Sequence, residues 1–294
     1  MKKIRTVAAF PTMFTLGNLI CGFFAIVVAS RVGAGSLDAK LTAPQLEIGS
    51  PANFIGAFDP TNPTHNIVLS AWLIFLAMVF DALDGHVARL AKITSDFGAQ
   101  LDSLCDLVTF GVAPAFLMVK MCPDFAFFYR EEMWIIAAAF VACAAMRLAR
   151  FNVETEQEDD HLTFIGLPTP AAAGSIASFA ILFYTLRLEN NHLPYAQDID
   201  WYMRRFLPAF TIVLSVLMVS RIPYPHVVNQ LLNGQRSLGH IVALLFSLVV
   251  IIAIRGYSVP IICSLFVLGP PLRYAWQRWR NRQQQEQDEA ETLF

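Results

Sequence analysis

Long apolar stretches with almost no charge constrain this chain more than any other feature. Eight of them stand at about 10–30, 67–90, 97–121, 133–150, 169–186, 206–220, 238–254 and 257–276. A helix needs roughly 20 mostly apolar residues to cross a hydrocarbon layer about 30 Å thick, and these stretches come close to that length. No alternation of period two runs through them, so a membrane barrel is excluded and helices are left to satisfy the backbone in lipid. The composition agrees, with 56% hydrophobic residues and only 15% charged, where soluble domains carry about a quarter charged. A net charge of −2 creates no field to draw a polyanion, so nucleic acid is not an expected partner. The expected fold is all-α: a polytopic membrane helical bundle of about eight transmembrane helices.

Basic residues set the orientation. With the N-terminus inside, 13 of the 21 Lys and Arg fall on the inner side and 8 on the outer, which puts both termini in the cytoplasm. Lys2, Lys3 and Arg5 precede an apolar stretch too long for a cleaved signal, so an uncleaved first span is expected. The expected layout is a transmembrane domain over 1–282 with a Gly/Pro/Asn-rich outer loop at 32–66, then a disordered polar tail at 283–294. Cys21, Cys105, Cys122, Cys143 and Cys263 form no CxxC pair and read as small buried apolar side chains.

The chemistry concentrates where the second and third spans meet. Span two is apolar to Phe80 and then turns into Asp81-Ala-Leu-Asp84-Gly85-His86-Val-Ala88-Arg89; span three opens with Phe97-Gly98-Ala-Gln-Leu-Asp102-Ser-Leu-Cys-Asp106. Asp81 and Asp84 are three apart and Asp102 and Asp106 four apart, so each pair shares a helix face, and a tight hairpin can bring the faces together. Four carboxylates at the cytoplasmic interface repel one another and lose hydration. Hard divalent cations with oxygen ligands, Mg²⁺ especially, are the natural compensation, commonly bound together with substrate phosphate. Gly85 and Gly98 clear space for a ligand against backbone. Arg89 offers a planar fork to phosphate oxygens, and the start of span three, from Ser95 to Gly98, offers free N–H groups. On the residues alone two readings stay open: a metal–phosphate site, and a proton or cation path through a transporter.

Asp81, Asp84, Gly85, Ala88, Arg89, Gly98, Asp102 and Asp106 also spell Asp-x2-Asp-Gly-x2-Ala-Arg-x8-Gly-x3-Asp-x3-Asp with every spacing kept. This resembles the signature of the CDP-alcohol phosphotransferase family. Pro11-Thr12-Met-Phe-Thr15-Leu-Gly-Asn18, the context of Ser103, Phe110, Gly111 and Pro114, Arg147-Leu-Ala-Arg150-Phe151-Asn152, and Phe164-Ile-Gly166-Leu-Pro168-Thr169-Pro170 are similar to its integral-membrane phosphatidylserine synthase branch. The similarity covers roughly residues 10–175.

That resemblance implies a reaction in which CDP-diacylglycerol and L-serine give phosphatidylserine and CMP in the cell's inner (cytoplasmic) membrane, on its cytoplasmic side. It implies that Asp81, Asp84, Asp102 and Asp106 hold two divalent ions, Mg²⁺ or Mn²⁺, and that Asp106 is the base. Asp81, Asp84, Gly85, Ala88, Arg89, Ser95 and Gly98 would line the CDP moiety, and a homodimer is expected. A pocket for serine needs a cation for the carboxylate, and Arg147 and Arg150, with Asn152 beside them, stand at the right depth. Glycerol 3-phosphate would ask for the same arginines, so a phosphatidylglycerophosphate synthase is the alternative within the family. A carboxylate-lined transporter is the alternative outside it.

Overall fold

The structure, a computed structural model, describes residues 9–33, 61–91, 96–122, 131–155, 163–189, 196–225 and 255–292. The helices are α1 (Ala9–Ser30), α2 (Pro63–Ala91), α3 (Asp96–Asp106), α4 (Ala113–Met121), α5 (Glu131–Thr155), α6 (Thr169–Tyr184), α7 (Ala196–Val219) and α8 (Ser258–Thr292). A π-helical segment, Leu107–Val112, joins α3 to α4 without a break, so residues 96–121 form one rod. Among the described residues seven helices are long and apolar enough to cross a membrane, and the protein is a multi-pass helical membrane bundle. The expected span at 238–254 lies outside the described residues.

Several boundaries differ from the sequence reading. α2 starts at Pro63, inside the expected outer loop, because proline suits the first helical turn, where its missing N–H is not needed. α7 begins ten residues before the expected 206, since its first turns carry the polar residues of an ion-pair cluster rather than an apolar run. The tail expected to be disordered from 283 is helical to Thr292. Beyond Pro271 the segment holds no Gly or Pro and is rich in Gln, Arg and Glu, all strong helix formers. The two three-residue strands β1 (Thr163–Ile165) and β2 (Pro223–Pro225), paired antiparallel, were not expected from an all-α pattern.

α6 is the axis of the bundle: 83% of its span is buried, against 17% for the span of α8. Its buried positions are mostly small, among them Ala172, Ala173, Gly174, Ala177 and Ala180, which lets neighbouring backbones approach closely where lipid supplies no hydrophobic drive between helices. α1 lies along α2, α2 and α8 pack on α6, and α5 packs on α7. Large apolar side chains such as Ile135, Val216 and Leu265 point outward, as a lipid-facing surface requires.

Both ends of the bundle are locked. At one end Gly166, held at φ +82°, lets the chain press against α7: a Cβ there would stand 2.6 Å from the Met218 carbonyl. Gly166 N–H donates to Ile222 O at 2.9 Å and Leu167 N–H to Leu217 O at 3.0 Å. At the other end the buried Asp200 accepts from Arg187 Nη2 at 2.7 Å and from Arg204 Nη2 at 3.1 Å. β2 therefore sits at the Thr169 end of α6, whereas the turn Arg255–Tyr257 sits at its far end, with Gly256 against the Thr185 side chain.

α8 carries Pro270 and Pro271 in its interior. Proline has no N–H, so Pro271 leaves the Val267 carbonyl without its helical donor. The Tyr224 hydroxyl donates to that carbonyl at 3.0 Å, and burial pushes its phenol up to about 12.

Candidate active site

α2 and α3 run antiparallel and meet at their acidic ends. One carboxylate oxygen each from Asp81, Asp102 and Asp106 lies within 4.8 Å of the other two, a spacing that lets all three reach one cation. Asp106 is buried and Asp81 and Asp102 are half-buried. Asp102 Oδ1 is shielded from solvent and has no hydrogen-bond partner. Such an acceptor is costly to leave unmade. A hard cation with oxygen ligands satisfies it, and the donor set of carboxylates only fits Mg²⁺ or Mn²⁺ chemistry.

Asp84 is the exception among the four expected ligands. It interacts electrostatically with Asp81 and Asp102, but its carboxylate accepts a hydrogen bond from the Thr15 hydroxyl of α1, and it lies outside the group of three. The reason is angular. Three residues advance about 300° around a helix, so Asp84 is turned some 60° from Asp81, toward α1. The step from Asp102 to Asp106 overshoots a turn by about 40° and keeps both in the site.

α1 supplies a second contact. Asn18, fully buried, donates from Nδ2 to Asp106 Oδ1 at 2.9 Å. The Asn18 backbone carbonyl accepts from Thr109 Oγ1 at 3.2 Å, in the π segment that follows Asp106. Gly22, one turn on, allows this approach, since a Cβ there would fall 2.8 Å from Thr109 Cα. Thr15 and Asn18 were quoted in the sequence only as part of a resemblance. The signal that marks them is physical: two polar residues three apart, in an apolar span, at the depth of the acidic ends.

α5 brings the cation. Arg147 lies within electrostatic reach of Asp81 and Asp106, and its Nη1 donates to Thr169 Oγ1 at 3.1 Å. Arg150 Nη1 instead donates to Val219 O at 3.1 Å, at the end of α7. Asn152 faces α3, with Nδ2 donating to Ser103 Oγ at 3.0 Å, beside Asp102. The three residues proposed together for an acceptor pocket thus point to three places. Gly85 borders open space, with nothing within 4 Å of a built Cβ, and Gly98 is half-buried in the first turns of α3. Ser95, and the side chains of Ala88 and Arg89, lie outside the described residues.

The cluster stands inside a stretch with known relatives. The chain is 31% identical to the CDP-diacylglycerol--serine O-phosphatidyltransferase of Helicobacter pylori over 229 residues, 76% of this chain and 74% of that one. It is 36% identical over 159 residues to the protein of the same name from Methanocaldococcus jannaschii, 54% of this chain and 65% of that one. It is also 30% identical to the archaetidylserine synthase of Methanothermobacter thermautotrophicus, over 77% of this chain and 73% of that one. The model of the CDP-alcohol phosphatidyltransferase family matches residues 8–217, which hold every carboxylate of the cluster together with Thr15, Asn18 and Arg147, and the chain is a member of that family.

Proposed function

We propose that the chain transfers the phosphatidyl group of CDP-diacylglycerol to the hydroxyl of L-serine, giving phosphatidylserine and CMP, at the cytoplasmic face of the inner membrane. The observation that carries this reading is the convergence of Asp81, Asp102 and Asp106 within 4.8 Å, with the unpartnered Asp102 Oδ1 among them. The names of the relatives supply the acceptor, since serine is common to them. The homodimer implied by the family resemblance belongs to the same reading.

Asp81, Asp102 and Asp106 are the residues to hold the metal, with Asp84 beside them. Two divalent ions, when bound, neutralise the diphosphate and the departing CMP. Asp106 takes the proton of the serine hydroxyl, which is too weak a nucleophile at neutral pH without a base in hydrogen-bond reach. The serine oxygen bonds to the phosphorus that carries the diacylglycerol, the phosphoanhydride P–O bond breaks, and CMP leaves with the electron pair. Arg147 is the cation for the serine carboxylate. Its charge already faces the acidic group, so it holds the acceptor beside the base. Gly85 leaves room for the CDP moiety, whose remaining contacts fall to Arg89, Ser95 and Gly98.

The test is CMP release by detergent-solubilised protein with CDP-diacylglycerol, Mg²⁺ or Mn²⁺, and serine, glycerol 3-phosphate or inositol phosphate in turn. Release with serine alone is expected, lowered by about 10²–10⁴-fold in Asp106→Asn. Release with another alcohol keeps the site and changes the acceptor. No release from folded protein with any acceptor returns the carboxylates to an ion path.

A further inference from the structure

An asparagine enclosed in an apolar span is unfavourable unless it does something that a leucine of similar shape does not. Asn18 has no exposed surface. Its Oδ1 is buried with no hydrogen-bond partner, so the side chain is not retained for a fully satisfied network. Its Nδ2 is committed to one acceptor, Asp106 Oδ1, at 2.9 Å. The backbone around it is committed as well: Asn18 O accepts from Thr109 Oγ1 at 3.2 Å, and Gly22 holds α1 against the π segment. The amide therefore stands on a backbone fixed from the same rod that carries Asp106.

We infer that Asn18 is a positioning residue for Asp106: it ties down Oδ1 and leaves Oδ2 as the oxygen that meets the proton or the cation. A carboxylate has two equivalent oxygens and rotates about one bond, so a single donor on one oxygen sets where the other lies. The inference rests on reading Asp106 as base and metal ligand.

Asn18→Leu keeps the branched outline with more bulk and removes the donor, and Asn18→Ala removes it without adding bulk. Ser70→Ala is the control. It deletes another buried hydrogen bond of α1, Ser70 Oγ to Ala25 O at 2.9 Å, away from the carboxylates. The expected result is a loss of 30-fold or more in kcat for both Asn18 variants, with KM for serine and for CDP-diacylglycerol within about two-fold of the parent protein. Ser70→Ala keeps the parent kcat. Mn²⁺ binding followed by electron paramagnetic resonance, with no substrate present, weakens about five-fold in both Asn18 variants. A kcat unchanged in both, or a fall shared equally by Ser70→Ala, overturns the inference. If the parent protein releases no CMP, the reading of the site fails first. Mn²⁺ affinity then decides on Asn18, and equal affinity in parent and variants, or none in either, overturns it.

Discussion

Arg147 and Arg150 are three residues apart on α5 and do different work. Arg147 holds Thr169 and faces the carboxylates. Arg150 supplies a charged donor to the last carbonyl of α7, one of the orphan groups that every helix end exposes. Substituting them separates the roles. Arg147→Lys keeps the charge, loses the planar fork, and is expected to lower kcat/KM for serine by about 10-fold or more in initial-rate assays. Arg150→Ala is expected to leave KM for serine unchanged and to destabilise the bundle by about 1–2 kcal/mol, read as a lower thermal midpoint. In the sequence the two are indistinguishable, because both are basic, both close a span, and positive-inside anchoring explains either. The meeting of Asp81, Asp102 and Asp106 was legible, because spacing puts Asp102 and Asp106 on one face and a short link turns that face toward Asp81. Asp84 was legible as a carboxylate near the cluster, but not as the partner of Thr15 that stands outside the group of three. That depends on where α1 lies, and no pattern local to α2 encodes it.

At the scale of elements, the π segment Leu107–Val112 is what joins the acidic start of the third rod to its apolar remainder. π turns insert a residue into the helical ladder and concentrate at functional sites. Here the segment turns Thr109 to Asn18 and buries Phe110 and Gly111. Gly22 packs against it, and Gly22→Ala should force α1 away from the Thr109 backbone. A loss of about 1–3 kcal/mol is expected on chemical or thermal unfolding, together with a fall in CMP release, since the same displacement pulls Asn18 from Asp106. The π segment left no mark on the sequence reading, because it is a change in hydrogen-bond register rather than in hydrophobic pattern. The helical tail to Thr292 was obscured by a different cause. Its polarity resembles disorder, and only its helix-forming residue types argue otherwise.

For the whole molecule, helix directions put the carboxylates, Arg147 and β2 at one end, and the cluster of Arg187, Asp200 and Arg204 at the other. Glu131, at the start of α5, and Arg221, just after α7, are both exposed and lie at opposite ends. In a background free of native cysteines, Glu131→Cys is expected to react with a membrane-impermeant maleimide on intact cells, and Arg221→Cys only after the membrane is opened. The reverse pattern would invert the orientation drawn from the 13-to-8 split of basic residues.

The short link between α2 and α3 has a consequence for how the protein is made. Residues 92–95 are all that separate two rods whose acidic ends face each other, so the second acidic end is synthesised directly after the first. Thr15 and Asn18 are by then already in α1. The three walls that bear the carboxylates and their α1 donors are thus synthesised by residue 106, before α5, α6 and α7 exist. For that interval the cluster lacks the charge of Arg147, which α5 brings only after both acidic helix ends have been made.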